Sequence, residues 1–231
     1  MRIKILIGAL LGLSTLGMAT GSAAAQAADL LSQQCVACHA IAKPDKTSLD
    51  RLWERKGPDL YYAGSKFNKA WLVSWLQNPA TIRGGGVMFA KVTKAGADHS
   101  VDTLDAAQVP AHMKLSAADA ATAADLLMAL KGDGLVTAGA FKNEAPGSMA
   151  SMLFSKLRGC TSCHTAKAGG APTSGPELYT GGDRLQPDFV HAYISNPQKF
   201  DAHTWMPTLG LNDADIQKLT GYIGTLKSEK K

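Results

Sequence analysis

Every cysteine of this 231-residue chain lies in one of two pentapeptides, Cys35-Val36-Ala37-Cys38-His39 and Cys160-Thr161-Ser162-Cys163-His164. Around them the chain repeats itself. Gly57-Pro58-Asp59-Leu60-Tyr61 returns as Gly175-Pro176-Glu177-Leu178-Tyr179 at an offset of 118 positions. The same offset carries Gly64 onto Gly182, Trp71 onto Phe189, Trp75 onto Tyr193 and Asn78-Pro79 onto Asn196-Pro197. Leu115, Asp119, Leu130 and Lys131 then match Leu211, Asp215, Leu226 and Lys227 at an offset of 96, so the first copy holds a 22-residue insertion before its last helix. Chance does not readily produce so ordered a series, and one unit built twice explains it.

The coarse pattern is helical. Leu30–Ala37 and Met152–Cys160 lead into the pentapeptides, and helices over Lys69–Gln77 and Pro187–Ser195 stop at an Asn-Pro, because proline disfavours helix in the residue before it. Ser116 and Asn212 read as N-caps of final helices over Ala117–Lys131 and Asp213–Lys227. The fold class expected is all-α: residues 28–131 form a first helical domain with an insertion at about 89–110, 132–147 a glycine-containing linker, and 148–231 a second domain.

Cys-x-x-Cys-His is the attachment signature of c-type haem: two thiols on one turn can add to the two vinyl groups of one porphyrin, with the histidine beside them facing the iron. Rival uses of Cys-x-x-Cys fit less well. A thioredoxin-like pair belongs near a βαβ pattern, which is missing from this sequence. A four-cysteine zinc site normally brings its second pair within roughly 15–20 residues, and zinc gives no reason for a histidine after each pair. A disulfide within Cys-x-x-Cys would close too small a loop to constrain much chain. Two covalent haem c groups, on Cys35 and Cys38 and on Cys160 and Cys163, are the cofactors expected.

Arg2 and Lys4, an uncharged apolar stretch from Ile5 to Met18 and Ala25-Gln26-Ala27 compose a secretory signal peptide over residues 1–27, so the chain is expected in a bacterial periplasm. No later segment is apolar enough to cross a bilayer, and no stable membrane insertion is expected once the signal is cleaved. The net charge of +5 falls to about +3 without the signal. Lys43, Lys46, Lys56, Lys66, Lys69, Lys91 and Lys94 gather in the first half. They read as a solvated face or, more sharply, as a docking face that steers an acidic redox partner. The scattered cations lack interleaved aromatics, which argues against nucleic acid.

With these motifs in place, the chain resembles a tandem di-haem member of the class I cytochrome c family. The resemblance rests, in each half, on Cys-x-x-Cys-His, Gly-Pro-x-Leu-Tyr and an aromatic-bearing helix that ends in Asn-Pro ahead of a methionine. It implies a small bundle of helices around a haem with one edge exposed, repeated. It makes His39 and His164 the proximal iron ligands and gives the carbonyls of Pro58 and Pro176 the task of orienting them. Tyr61 and Tyr179 belong to the haem environment, with Trp71 and Trp75, or else to plain core packing.

The resemblance names Met206, before Pro207, as sixth ligand in the second half. In the first half Met88 lies ten residues after Asn78, as Met206 lies ten after Asn196. Met113, just ahead of the last helix, is its alternative, and His112, His99 or an open site complete the options. Six-coordinate irons would make the chain an electron carrier between periplasmic or membrane-bound respiratory partners, or a subunit of a larger redox complex, rather than an enzyme. A di-haem oxidoreductase acting on a small inorganic substrate at an open first haem is the alternative, and a haem-based gas sensor a third reading.

Overall fold

The computed structural model describes residues 29–45, 47–98, 102–171 and 174–228, so the expected signal peptide, Lys46 and His99 lie outside the described residues. The first half opens with helical turns at Leu30–Gln34 and Cys35–Ala37, followed by α1 (Leu49–Glu54), α2 (Ala63–Lys66), α3 (Lys69–Gln77) and α4 (Val87–Lys91). A hairpin of β1 (Thr93–Ala95) and β2 (Asp102–Leu104) precedes α5 (Ala117–Ala129). The second half holds α6 (Ala150–Met152), a wide turn at Leu153–Leu157, a tight turn at Cys160–Ser162, α7 (Gly181–Arg184), α8 (Pro187–Ser195) and α9 (Asp213–Thr225). The architecture is mostly helical. Among the described residues no helix is long and apolar enough to cross a membrane.

The capping chemistry works as the sequence indicates. Ser116 Oγ accepts from the Asp119 N–H at 3.2 Å, and Asn212 Oδ1 accepts from the Asp215 N–H at 2.9 Å. Each final helix stops two residues short of the expected lysine, because Leu130 and Leu226 turn extended. Their carbonyls accept instead from the N–H groups of Gly64 and Gly182, at 2.7 and 2.8 Å. These are equivalent bonds in the two copies.

Buried apolar residues form two clusters. In the first, α3 sets Leu72 and Leu76 against the small face of α5, where Ala120, Ala123 and Ala124 let the helix axes approach. In the second, Leu219 and Ile223, four apart on one face of α9, join Phe154, Leu178, Phe189 and Val190. Fully burying one such side chain stabilises by about 1.5–3 kcal/mol. Two departures from the sequence reading stand out. The insertion contains the β1–β2 hairpin, and the expected linker is docked: Asp188 accepts from the N–H groups of Gly139 and Phe141, while Gln217 accepts from that of Lys142.

The halves meet about a local two-fold relation. Phe67 pairs antiparallel with Leu185, its own counterpart at the 118 offset. The Asn68 N–H donates to Arg184 O at 2.8 Å, and the Gln186 N–H donates to Lys66 O at 2.9 Å. Asn68 and Gln186 precede α3 and α8 but do not cap them. Their side-chain amides cross to the opposite copy: Asn68 Nδ2 donates to Asp183 O at 2.9 Å, and Gln186 Nε2 to Gly64 O and Phe67 O at 2.8 and 2.7 Å.

Candidate functional site

Each cysteine pair occupies a single tight turn. The Cys38 N–H reaches Cys35 O at 3.1 Å, and the His39 N–H reaches the same carbonyl at 2.9 Å. The second copy repeats this at 3.2 and 2.9 Å from Cys163 and His164 to Cys160 O. None of the four thiols is in a disulfide, and each is half-buried or exposed. Burial raises the pKa of Cys35 and Cys160, so both are held as thiols. The two pairs are not gathered into one cluster: among the described residues no group of His, Cys, Asp and Glu side chains is placed to hold a metal ion by itself.

The histidine after each pair is fixed from behind. His39 Nδ1 lies 2.7 Å from Pro58 O, and His164 Nδ1 lies 2.8 Å from Pro176 O. A carbonyl only accepts, so each Nδ1 carries the hydrogen and each Nε2 keeps its lone pair. Burial lowers the pKa of both imidazoles against the opposing pull of the proline carbonyl, which favours the neutral ring a metal requires. The glycine before each proline makes room for the ring. A Cβ at Gly57 would lie 2.5 Å from His39 Cε1, and one at Gly175 would lie 2.8 Å from His164 Cε1.

These residues fit a covalent haem. Two thiols outside any disulfide sit on one turn, an oriented neutral imidazole follows them, and the Gly-Pro backbone behind it is closed to any larger side chain.

Beyond the pairs and their histidines, the structure distributes the expected residues unevenly. Tyr61 does not stay within its own half: its hydroxyl donates to Phe200 O at 3.1 Å, and with Tyr62 it joins the second core. Tyr179 remains half-buried in its own copy, hydrogen-bonded to Glu177. Trp71 and Trp75 stack in sequence with Phe67, at centroid separations of 5.6 Å each. Met206 is half-buried, and its carbonyl accepts from Gln198 Nε2 at 2.8 Å.

Met88 lies on a segment that touches both halves. The Gly86 N–H donates to Ser174 O at 2.7 Å, and a Cβ at Gly85 would lie 2.6 Å from Pro176 Cδ, so the segment into α4 lies against the second half. On its other side Lys91 Nζ binds the carbonyls of Trp53 and Arg55, which ties α4 to α1. Met113 is exposed, and the ring that faces His39 is that of His112, with centroids 6.3 Å apart.

Two features escaped the sequence reading. Arg83, buried, extends from the first half with its guanidinium over the Phe89 ring at 5.0 Å, and its charge depresses the His164 pKa. Arg55 joins Asp59, next to Pro58, to Asp201 of the second half at 3.4 and 3.1 Å. Single charged residues at unrepeated positions carry no periodic signal. Lys66 did carry one, since the 118 offset sets it on Arg184. Burial and that neighbouring cation lower the Lys66 pKa to about 8.

The Cytochrome c family model matches residues 150–227. No curated protein and no solved structure matches the chain.

Proposed function

With a cytochrome c domain over residues 150–227, we propose that the whole chain is a di-haem c-type cytochrome that passes single electrons between periplasmic or membrane-bound redox partners. The observation that carries this reading is the repetition of one proximal arrangement. His39 and His164 follow equivalent cysteine turns and donate from Nδ1 to Pro58 O and Pro176 O at 2.7 and 2.8 Å. A haem bound at such a site supplies a one-electron iron couple, with the potential set by its axial ligands and surroundings.

The chain's own residues do the rest. Cys35 with Cys38, and Cys160 with Cys163, tether the group by thioether bonds. His39 and His164, their rings oriented by the proline carbonyls, would offer Nε2 to the iron. Met206, half-buried in the second half, would offer its thioether to the iron of a haem held there. The signal peptide directs the protein to the periplasm, and the exposed lysines of the first half, Lys43, Lys56, Lys69, Lys91 and Lys94, steer an acidic partner through an attraction that salt screens, whereas the half-buried Lys66 takes no part.

The test is a haem count per chain, by pyridine haemochrome, on the exported full-length protein. Two haems are expected in the natural chain, and one in the Cys160→Ser, Cys163→Ser double variant. A natural chain holding one haem overturns the di-haem reading.

A further inference from the structure

We propose that His112 is the second axial ligand at the first site, which makes that site a bis-histidine centre while the second is histidine–methionine. The inference rests on the di-haem reading above and concerns which side chain completes its first site.

Three observations carry it. The first is distance. A metal–imidazole nitrogen bond is about 2.0 Å, so two imidazoles on opposite sides of one metal hold their centroids roughly 6.3–6.5 Å apart. The His39 and His112 centroids are 6.3 Å apart, with ring planes inclined by 47°. Trans ligands rotate freely about their common axis, so that angle is compatible with joint ligation.

The second is the tautomer. His112 Nδ1 lies 2.8 Å from the carbonyl of Met113, which can only accept. Nδ1 therefore carries the hydrogen and Nε2 keeps its lone pair, the condition the proline carbonyl imposes on His39. The third is support. Trp75 packs on His112 at a centroid distance of 4.5 Å, and the Leu115 N–H donates to Leu76 O at 2.9 Å, so the loop ahead of α5 is tied to the end of α3.

The methionines offer no comparable arrangement. Met88 rides on a segment bonded to Ser174 of the second half. Met113 is exposed and contributes its carbonyl to His112.

The consequence is directional. Histidine–methionine ligation raises a haem potential relative to bis-histidine ligation, because the soft thioether favours the ferrous state. The first electron added at equilibrium therefore resides in the second half, and the first half is the stronger reductant.

The experiment uses the exported, haem-loaded full chain with His112→Ala, His112→Met and Met88→Ala variants. It reads haem count, spin state by electron paramagnetic resonance, the methionine–iron charge-transfer band, and carbon monoxide binding after reduction. The natural chain is expected to hold two low-spin haems, with the methionine band from one of them. His112→Ala should retain two haems but turn one high-spin and open it to carbon monoxide. His112→Met should restore the low-spin state and add a second methionine band, and Met88→Ala should leave the spectra unchanged.

Two haems that both stay low-spin in His112→Ala, or a site opened by Met88→Ala, overturn the assignment while leaving the di-haem reading intact. A single haem in the natural chain overturns both, and the count tells the two failures apart.

Discussion

Gly64→Ala tests whether backbone contact between α2 and the end of α5 limits the stability of the first half. A Cβ at Gly64 would lie 2.1 Å from Met128 O, 2.6 Å from Met128 C and 2.9 Å from Met128 Cα. An ordinary carbon–oxygen contact begins at about 3.3 Å, so the two elements must separate by roughly 1 Å. All three atoms belong to the backbone, and no rotamer change can relieve the clash.

Overpacking of this kind costs about 1–3 kcal/mol. Separation also stretches the 2.7 Å bond from the Gly64 N–H to Leu130 O, a further loss of about 1 kcal/mol. The combined loss is about 2–4 kcal/mol, which for a chain of this size lowers the melting midpoint by roughly 5–15 °C. Gly224→Ala is the control, since nothing lies within 4 Å of its Cβ position. It should be neutral or stabilise by up to about 1 kcal/mol, as alanine does in a helix interior. Thermal and guanidinium denaturation, followed by circular dichroism at matched haem content, reads both variants. A Gly64→Ala midpoint equal to that of Gly224→Ala refutes the reasoning.

Two further outcomes follow from the same geometry. Gly175→Ala should retain covalent haem but disturb the spectrum of the second site alone, because the new Cβ would press on His164 from 2.8 Å while the first site is untouched; equal changes at both haems would contradict it. Tyr61→Phe removes the hydroxyl bonded to Phe200 O and should lower stability by about 1–3 kcal/mol, since a buried carbonyl loses its donor; an unchanged denaturation midpoint would show that this bond does not hold the halves together.

Much of this arrangement is legible in the chain. The bounds of α3 and α8 follow from Asn78-Pro79 and Asn196-Pro197, and the N-caps of α5 and α9 from Ser116 and Asn212, because each signal is local and strong. The cysteine turns and the Gly-Pro segments are legible for the same reason. What is not legible depends on where the second copy sits. Tyr61 and Tyr179 occupy matching positions in matching motifs, yet Tyr61 enters the opposite core and Tyr179 does not. Asn68 and Gln186 stand where a capping residue is expected, but their amides are drawn to carbonyls across the interface. Counting from Asn-Pro singles out Met88, but no local signal shows that the Gly86 N–H reaches Ser174 O or that the His112 ring stands 6.3 Å from that of His39.

The reciprocal pairing of Phe67 with Leu185 is an isologous contact, of the kind two identical subunits make about a dyad. Here the partner is tethered in the same chain. A short connection holds such a partner at an effective concentration on the order of millimolar, so a contact too small to dimerise free subunits can still stay closed. The arrangement also has a built-in asymmetry of tolerance. On a dyad each residue faces its own duplicate, and a cation kept in both copies meets another cation, as Lys66 does with Arg184. Divergence between the copies is therefore least constrained away from the axis, and the 22-residue insertion of the first copy has no counterpart in the second.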